Sequence, residues 1–156
     1  MASPLTEFDR EVALRIASYA HRGQVDKSGV AYIEHPKRVS ASLSELDEKI
    51  VGLLHDAVED ADDPEFIERM LRVFFPDQII EAVLAVSRRG GESPDEYYAR
   101  VRVNDLALRV KVADLNDNSS PGRLAKLDTA TQERLRAKYA HAREALGLSE
   151  PGAHLA

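Results

Sequence analysis

Apolar residues recur along most of this chain at steps of three and four, and no stretch alternates with the period of two that marks a half-buried strand. Leu5, Phe8, Val12, Ile16 and Tyr19 form one such stripe, which predicts an amphipathic helix over residues 4–21. Residues 22–34 hold Gly23 and Gly29 and read as a loop. Pro36 suits the first turn of a second helix running to about Leu46, and Asp47 can cap a third over roughly 48–60. Asp63-Pro64 pairs an N-cap with a first-turn proline and opens a helix with Phe66, Ile67, Met70, Leu71 and Phe74 inward. Pro76 opens the next, carrying Ile79, Ile80, Val83 and Leu84. After a loop at residues 88–92, Ser93-Pro94 starts another helix, and Asn104 starts one near residues 106–118. Ser119-Ser120-Pro121-Gly122 is a break, and Asp128 or Thr129 caps a last helix with Leu135, Tyr139, Ala142 and Leu146 as its stripe. The pattern predicts an all-α fold, with residues 1–148 as one domain and 149–156 as a frayed tail.

Composition narrows the class. The 156 residues are 44% hydrophobic, too many for a disordered chain, yet no apolar run approaches a membrane span. The N-terminal residues MASPLTEFDREVALRIA include acids where a signal peptide carries bases, so the expected home is the cytoplasm. The sequence contains no cysteine, which removes disulfides, thiolate metal sites and cysteine nucleophiles. A net charge of −6 argues against a duplex nucleic acid as partner, but a local basic pocket can still take a small anion.

The acids are not spread evenly. Between Lys49 and Arg69 there are seven acidic residues and no basic one. On a continuous helix His55 and Glu59 are four apart, as are Asp56 and Asp60, so all four share one face opposite Val51, Leu54 and Val58. Carboxylates so placed repel one another and oppose the negative end of the helix dipole. A divalent cation would reverse both effects. Taken alone, the run reads as readily as the solvated end of a surface helix. Elsewhere His35 precedes a helix, and Asp114 interrupts the apolar stretch Val110–Leu115, where a carboxylate is costly unless paired or metal-bound. His35, His55, Asp56 and Asp114 together make a hard N/O set suited to Mn²⁺ or Fe²⁺, held between packed helices.

These residues sit in segments with a known likeness. Residues 20–36, AHRGQVDKSGVAYIEHP, resemble the AHxGQxRKSGxPYxxHP segment of RelA/SpoT hydrolase domains, a branch of the HD-domain metal-dependent phosphohydrolases. Leu53–Asp60 is similar to LLHDxxED, Lys111–Asp114 with Asn118 to KLADxxxN, and Val86-Ser87-Arg88 to V-[ST]-K, all in family order. The resemblance implies a compact HD-domain bundle and a (p)ppGpp 3′-pyrophosphohydrolase that acts on a small phosphorylated nucleotide. It implies His35, His55, Asp56 and Asp114 as ligands of a divalent metal, Mn²⁺ foremost, with Fe, Co or Ni as alternatives. Glu59 and Asp60 would position or deprotonate the attacking water. Lys27, Ser28, Arg88 and, with them, Arg22 would meet phosphate or nucleotide, and Asn118 would support the site around Asp114.

Two segments depart from the family pattern. Asp26 stands where the family has an arginine expected to pack on guanine, and ADRxHNMRTL becomes Ala113-Asp114-Leu115-Asn116-Asp117-Asn118-Ser119-Ser120-Pro121-Gly122. Two further readings therefore stay open: a phosphohydrolase of another nucleotide or phosphorylated cofactor, and a non-catalytic HD-fold interaction module. The oligomeric state is not legible.

Overall fold

A computed structural model describes residues 3–148, so the expected frayed tail at 149–156 lies outside the described residues. The described chain is helical: α1 (Glu7–Ala20), α2 (Glu34–Ser42), α3 (Leu46–Leu54), α4 (Ala57–Asp60), α5 (Pro64–Phe74), α6 (Asp77–Val86), α7 (Pro94–Arg102), α8 (Asp105–Asn118), α9 (Pro121–Leu124) and α10 (Thr129–Ala145). Extended pairing among the described residues is confined to one bridge, Val25 with Ala31, inside the α1–α2 loop. Among the described residues no helix is long and apolar enough to cross a membrane.

The starts follow the capping chemistry of the sequence. Asp63 Oδ1 accepts from the Phe66 amide at 3.0 Å, Ser93 Oγ from Glu96 at 3.1 Å, Asn104 Oδ1 from Ala107 at 2.9 Å, and Asp128 Oδ1 from Thr131 at 2.8 Å. Proline takes the first turn of α5, α7 and α9. The segment read as a break, residues 119–122, instead enters the short helix α9 at Pro121.

Helix α3 is the centre of the bundle, packed by α1, α2, α6 and α8. Ile50, Val51 and Leu54 are fully buried there. At Gly52 the backbone of α2 comes so close that a Cβ would lie 3.1 Å from Ser40 Cα. The inward face of α1 differs from the expected stripe. Phe8 and Tyr19 are 72% and 49% exposed, while Ala13, Ile16, Ala17 and Ala20 are buried. Small alanines let α1 lie close against α3, and this close fit outweighs the larger rings' gain from burial.

The third predicted helix is also corrected. It does not run through 48–60: α3 ends at Leu54 and α4 begins at Ala57. Asp56, with φ −105° and ψ −1°, is the N-cap of α4. His55 and Asp56 therefore sit at a corner between two helices, not along one helical face.

Candidate functional site

That corner faces the start of α2 and the middle of α8. His35 comes from the first turn of α2, and Asp114 from a position on α8 whose neighbours Ala113 and Leu115 are also buried. One ligand atom from each of His35, His55, Asp56 and Asp114 lies within 4.8 Å of the others. His35 Nε2 is 2.9 Å from Asp114 Oδ1 and 3.7 Å from Asp56 Oδ2. His55 Nε2 is 3.0 Å from Asp56 Oδ2 and 3.4 Å from Asp114 Oδ1.

The orientation of each group is fixed from behind. His55 Nδ1 donates to the Gly52 carbonyl at 2.6 Å, covering an orphan acceptor near the end of α3 and turning Nε2 into the site. Buried Nε2 makes no hydrogen bond, although two carboxylate oxygens are near, because neither lies where its lone pair or proton points. A buried nitrogen with two carboxylate oxygens within 3.4 Å and no hydrogen bond to either suits a cation between them. This donor set of two imidazoles and two carboxylates fits a divalent transition-metal ion. His35 Nδ1 is 2.6 Å from Asp117 Oδ2, the carboxylate–histidine arrangement that orients a metal-binding imidazole. Tyr32 donates to Asp56 Oδ2 at 2.6 Å. Asp114 is held by Lys111 Nζ at 2.8 Å and Asn118 Nδ2 at 2.9 Å.

Burial opposes every charge in this cluster, yet mutual pairing prevails. His55, although fully enclosed, is held well above the ordinary imidazole value by Asp56 and Asp114. Asp114, also buried, is held well below the carboxylate range by Lys111 and the two histidines. His35 is raised despite burial by Asp114 and Asp117. Asp60 behaves oppositely: loss of water, with Asp56 and Glu59 nearby, pushes its carboxyl up to about 7.

The other expected site residues divide. Asp60 lies at the end of α4, and its carbonyl accepts from Gln24 Nε2 at 2.8 Å, tying α4 to the end of α1. Glu59 Oε1 accepts from the Arg88 amide at 2.6 Å, so it also holds the 87–92 loop. Lys27, Ser28 and Asn118 line a cavity of about 280 Å³ beside the His55–Asp56 corner, together with Asp26, Tyr32, Arg123, Leu127, Leu135, Lys138 and Tyr139. Ser28 is nevertheless occupied within its own loop, its hydroxyl donating to Asp26 Oδ1 at 2.8 Å. Arg22 is not brought to the cavity. It donates to the Tyr19 carbonyl at 2.8 Å, covers the Tyr19 ring and lies 3.6 Å from Asp62 on the surface. Arg88 lies over the buried Tyr97 ring at 4.9 Å, and it is Arg100, not Arg88, that caps the carbonyls ending α6.

Two polar residues near the site carry no role in the motif reading. Asp117 bridges His35, Arg38 and Arg123. Arg123 reaches Asp117 at 2.9 Å, Asn118 at 2.8 Å and Asp26 at 3.5 Å. Arg123 follows directly on the segment read as a break, where no periodicity marks it. Asp117 was visible only as the position three after Asp114, a spacing that places both on neighbouring parts of α8.

Comparison with known proteins places this architecture. A solved structure of a metazoan ortholog of SpoT that hydrolyses ppGpp superposes with a TM-score of 0.70 at 20% identity, covering 94% of this chain and 88% of that one. A GTP pyrophosphokinase of Streptomyces coelicolor is 34% identical over 97% of the chain. In fold and in sequence the chain is similar to the HD domains of RelA/SpoT-type proteins. A chloroplastic putative GTP diphosphokinase of Oryza sativa is 35% identical over 92% of the chain. A guanosine-3′,5′-bis(diphosphate) 3′-pyrophosphohydrolase of Borreliella burgdorferi is 49% identical over 35% of it. The matched segments span only 18%, 17% and 9% of these three relatives' own lengths. No family model matches the chain.

Proposed function

We propose that this domain is a metal-dependent phosphohydrolase that releases pyrophosphate from the 3′ position of (p)ppGpp. The observation that carries the reading is the convergence of His35, His55, Asp56 and Asp114 from three separate parts of the chain, with a buried His55 Nε2 left without a hydrogen bond. Those four residues would hold the cation, with Mn²⁺ the metal suited to this hard N/O set. When bound, a divalent cation supplies Lewis acidity towards a phosphoryl oxygen and lowers the pKa of water.

The remaining work belongs to side chains of this domain. Asp60, whose carboxyl is raised to about 7, is matched to accept a proton from water near neutral pH. Glu59, fixed on the Arg88 amide, orients the same water. Lys27 and Arg88 offset the charge that develops on the phosphoryl oxygens. Tyr32 and Asn118 keep the Asp56 and Asp114 carboxylates in one orientation throughout. Phosphoryl transfer needs chiefly positioning and charge, so no covalent nucleophile enters. The domain would act on a small nucleotide in the cytoplasm.

A second reading, hydrolysis of a different phosphorylated nucleotide or cofactor, draws on Asp26. Its carboxylate lines the cavity, where it accepts from Ser28, Val30 and Arg123, and an acid there disfavours an anionic group nearby. A hydrolysis panel of ppGpp, other nucleotides and phosphorylated cofactors with Mn²⁺, resolving phosphate from pyrophosphate, decides between them. Turnover of ppGpp with pyrophosphate release supports the first reading. Turnover of another ester alone supports the second. Stoichiometric metal binding with no hydrolysis would leave only an interaction module. Asp56→Ala should lose both metal binding and turnover under either enzyme reading.

A further inference from the structure

We infer that Lys138, on α10, binds an anionic phosphate group of the substrate at the rim of the cavity beside the metal corner. The assignment rests on the phosphohydrolase reading for its ligand, but its observations are separate. Lys138 and Lys27 line the same cavity. Lys27, Arg88 and Lys111 all lie near enough to Lys138 to act on it electrostatically. Lys111 is satisfied by Asp114 at 2.8 Å. Lys27, Arg88 and Lys138 are exposed, and among the described residues none of them forms an ion pair with a carboxylate.

The carboxylate that could serve them, Asp26, is already taken up. Its Oδ1 accepts from Ser28 N, Ser28 Oγ and Val30 N, and its Oδ2 faces Arg123. Like charges gathered without a counter-charge repel, and the fold gains nothing from holding them together unless an anion joins them. Withdrawal from water and the three neighbouring cations lower the Lys138 ammonium from its ordinary value, which accords with this crowding. The same cavity has Leu127, Leu135 and Tyr139 along one wall, so an anion at Lys138 would be attached to an apolar or aromatic group. That combination describes a nucleotide whose phosphate spans from the metal corner to the rim.

The test compares Lys138→Met, Lys138→Gln, Lys138→Arg and the control Lys126→Met, an exposed lysine outside the cavity. All are checked for unchanged helicity and melting by circular dichroism. With the ester hydrolysed best in the panel, Lys138→Met and Lys138→Gln should raise KM about tenfold, as loss of one charge-assisted hydrogen bond implies, with kcat nearly unchanged. Lys138→Arg should restore KM, and Lys126→Met should not move it. Calorimetric titration of the Mn²⁺-loaded protein with inorganic pyrophosphate should show the same tenfold weakening. Persistent turnover with unchanged KM and unchanged pyrophosphate affinity in Lys138→Met would overturn this assignment and leave the hydrolase reading standing. A wild-type protein that neither hydrolyses any ester nor binds pyrophosphate would remove both.

Discussion

Asp117 Oδ2 lies 2.6 Å from His35 Nδ1, and the same carboxylate accepts from Arg38 and Arg123. Against partial burial, His35 and Arg38 hold the Asp117 carboxyl down to about 2, so it is ionised throughout the working range. An anion fixed there keeps the His35 ring turned with Nε2 towards Asp56 and Asp114 and makes that nitrogen a better donor. Removing such an orienting partner weakens metal binding by about 10–100-fold. Asp117→Ala should fall in that range and Asp117→Asn below it, measured by competition with a metal-binding dye. Metal affinity indistinguishable from wild type in both variants would mean that Asp117 serves only to join α8 to α2.

Metal binding should release protons and strengthen with pH. His55 and His35 are raised above the ordinary imidazole value, and Asp60 to about 7. A raised group stabilises the fold fully below its unfolded value and ceases to do so as pH rises through its folded value. For Asp60 that window runs from about 4 to about 7. Without metal, the fold should therefore lose stability from these groups as pH rises through neutrality. A divalent cation competes for the same lone pairs, so its affinity should be higher at about pH 8 than at about pH 6. Calorimetry in buffers of different ionisation enthalpy measures the protons released. Equal affinity at both values, with no proton release, would contradict this charge arrangement.

Helix positions and most caps were legible because they depend on local chemistry. Asp63-Pro64, Ser93-Pro94, Asn104 and Asp128 mark their helices through bonds no more than three residues long. The cluster of His35, His55, Asp56 and Asp114 was legible for a different reason: a buried carboxylate such as Asp114 stands out against an apolar stretch. What local pattern could not supply was decided by tertiary packing. The break at His55-Asp56 depends on the Gly52 carbonyl receiving an imidazole, and the rotation of α1 depends on how closely its alanines meet α3. Arg22 and Lys138 show the same limit from opposite directions. Each is a lysine or arginine on a helical chain, and only the folded arrangement takes one to Asp62 and the other to the cavity.

Lys111 should matter more to the metal-free protein than to the loaded one. Its ammonium is 2.8 Å from Asp114 Oδ2, both side chains are largely enclosed, and it also faces the Tyr97 ring at 5.4 Å. Removing one partner of a buried pair costs about 3–5 kcal/mol, because the other charge is left behind. Lys111→Met should approach the lower figure, since His35 and His55 still face Asp114. A divalent cation adds positive charge beside the same carboxylate, so saturating Mn²⁺ should recover part of the loss. Denaturant unfolding with and without metal checks this, and an identical loss in both states would show that Lys111 acts through packing alone.

Gly52 joins the stability of the fold to the geometry of the site. A Cβ at this position would lie 3.1 Å from Ser40 Cα and 3.1 Å from Leu43 Cδ1, tighter than ordinary contact, so α2 and α3 would have to separate by a few tenths of an ångström. Backbone is the unyielding neighbour here, and overpacking of this kind costs about 1–3 kcal/mol. The Gly52 carbonyl also receives the His55 Nδ1 proton, and α2 carries His35. Moving the two helices apart therefore shifts both imidazoles relative to Asp114 on α8. Gly52→Ala should lower the unfolding free energy by that amount and also weaken metal binding. By contrast, Gly122→Ala, where a Cβ would meet nothing within 4 Å, should change neither. Denaturant unfolding and metal titration of the two variants separate the outcomes. Metal affinity preserved in a destabilised Gly52→Ala would show that the corner holds its shape independently of the α2–α3 contact.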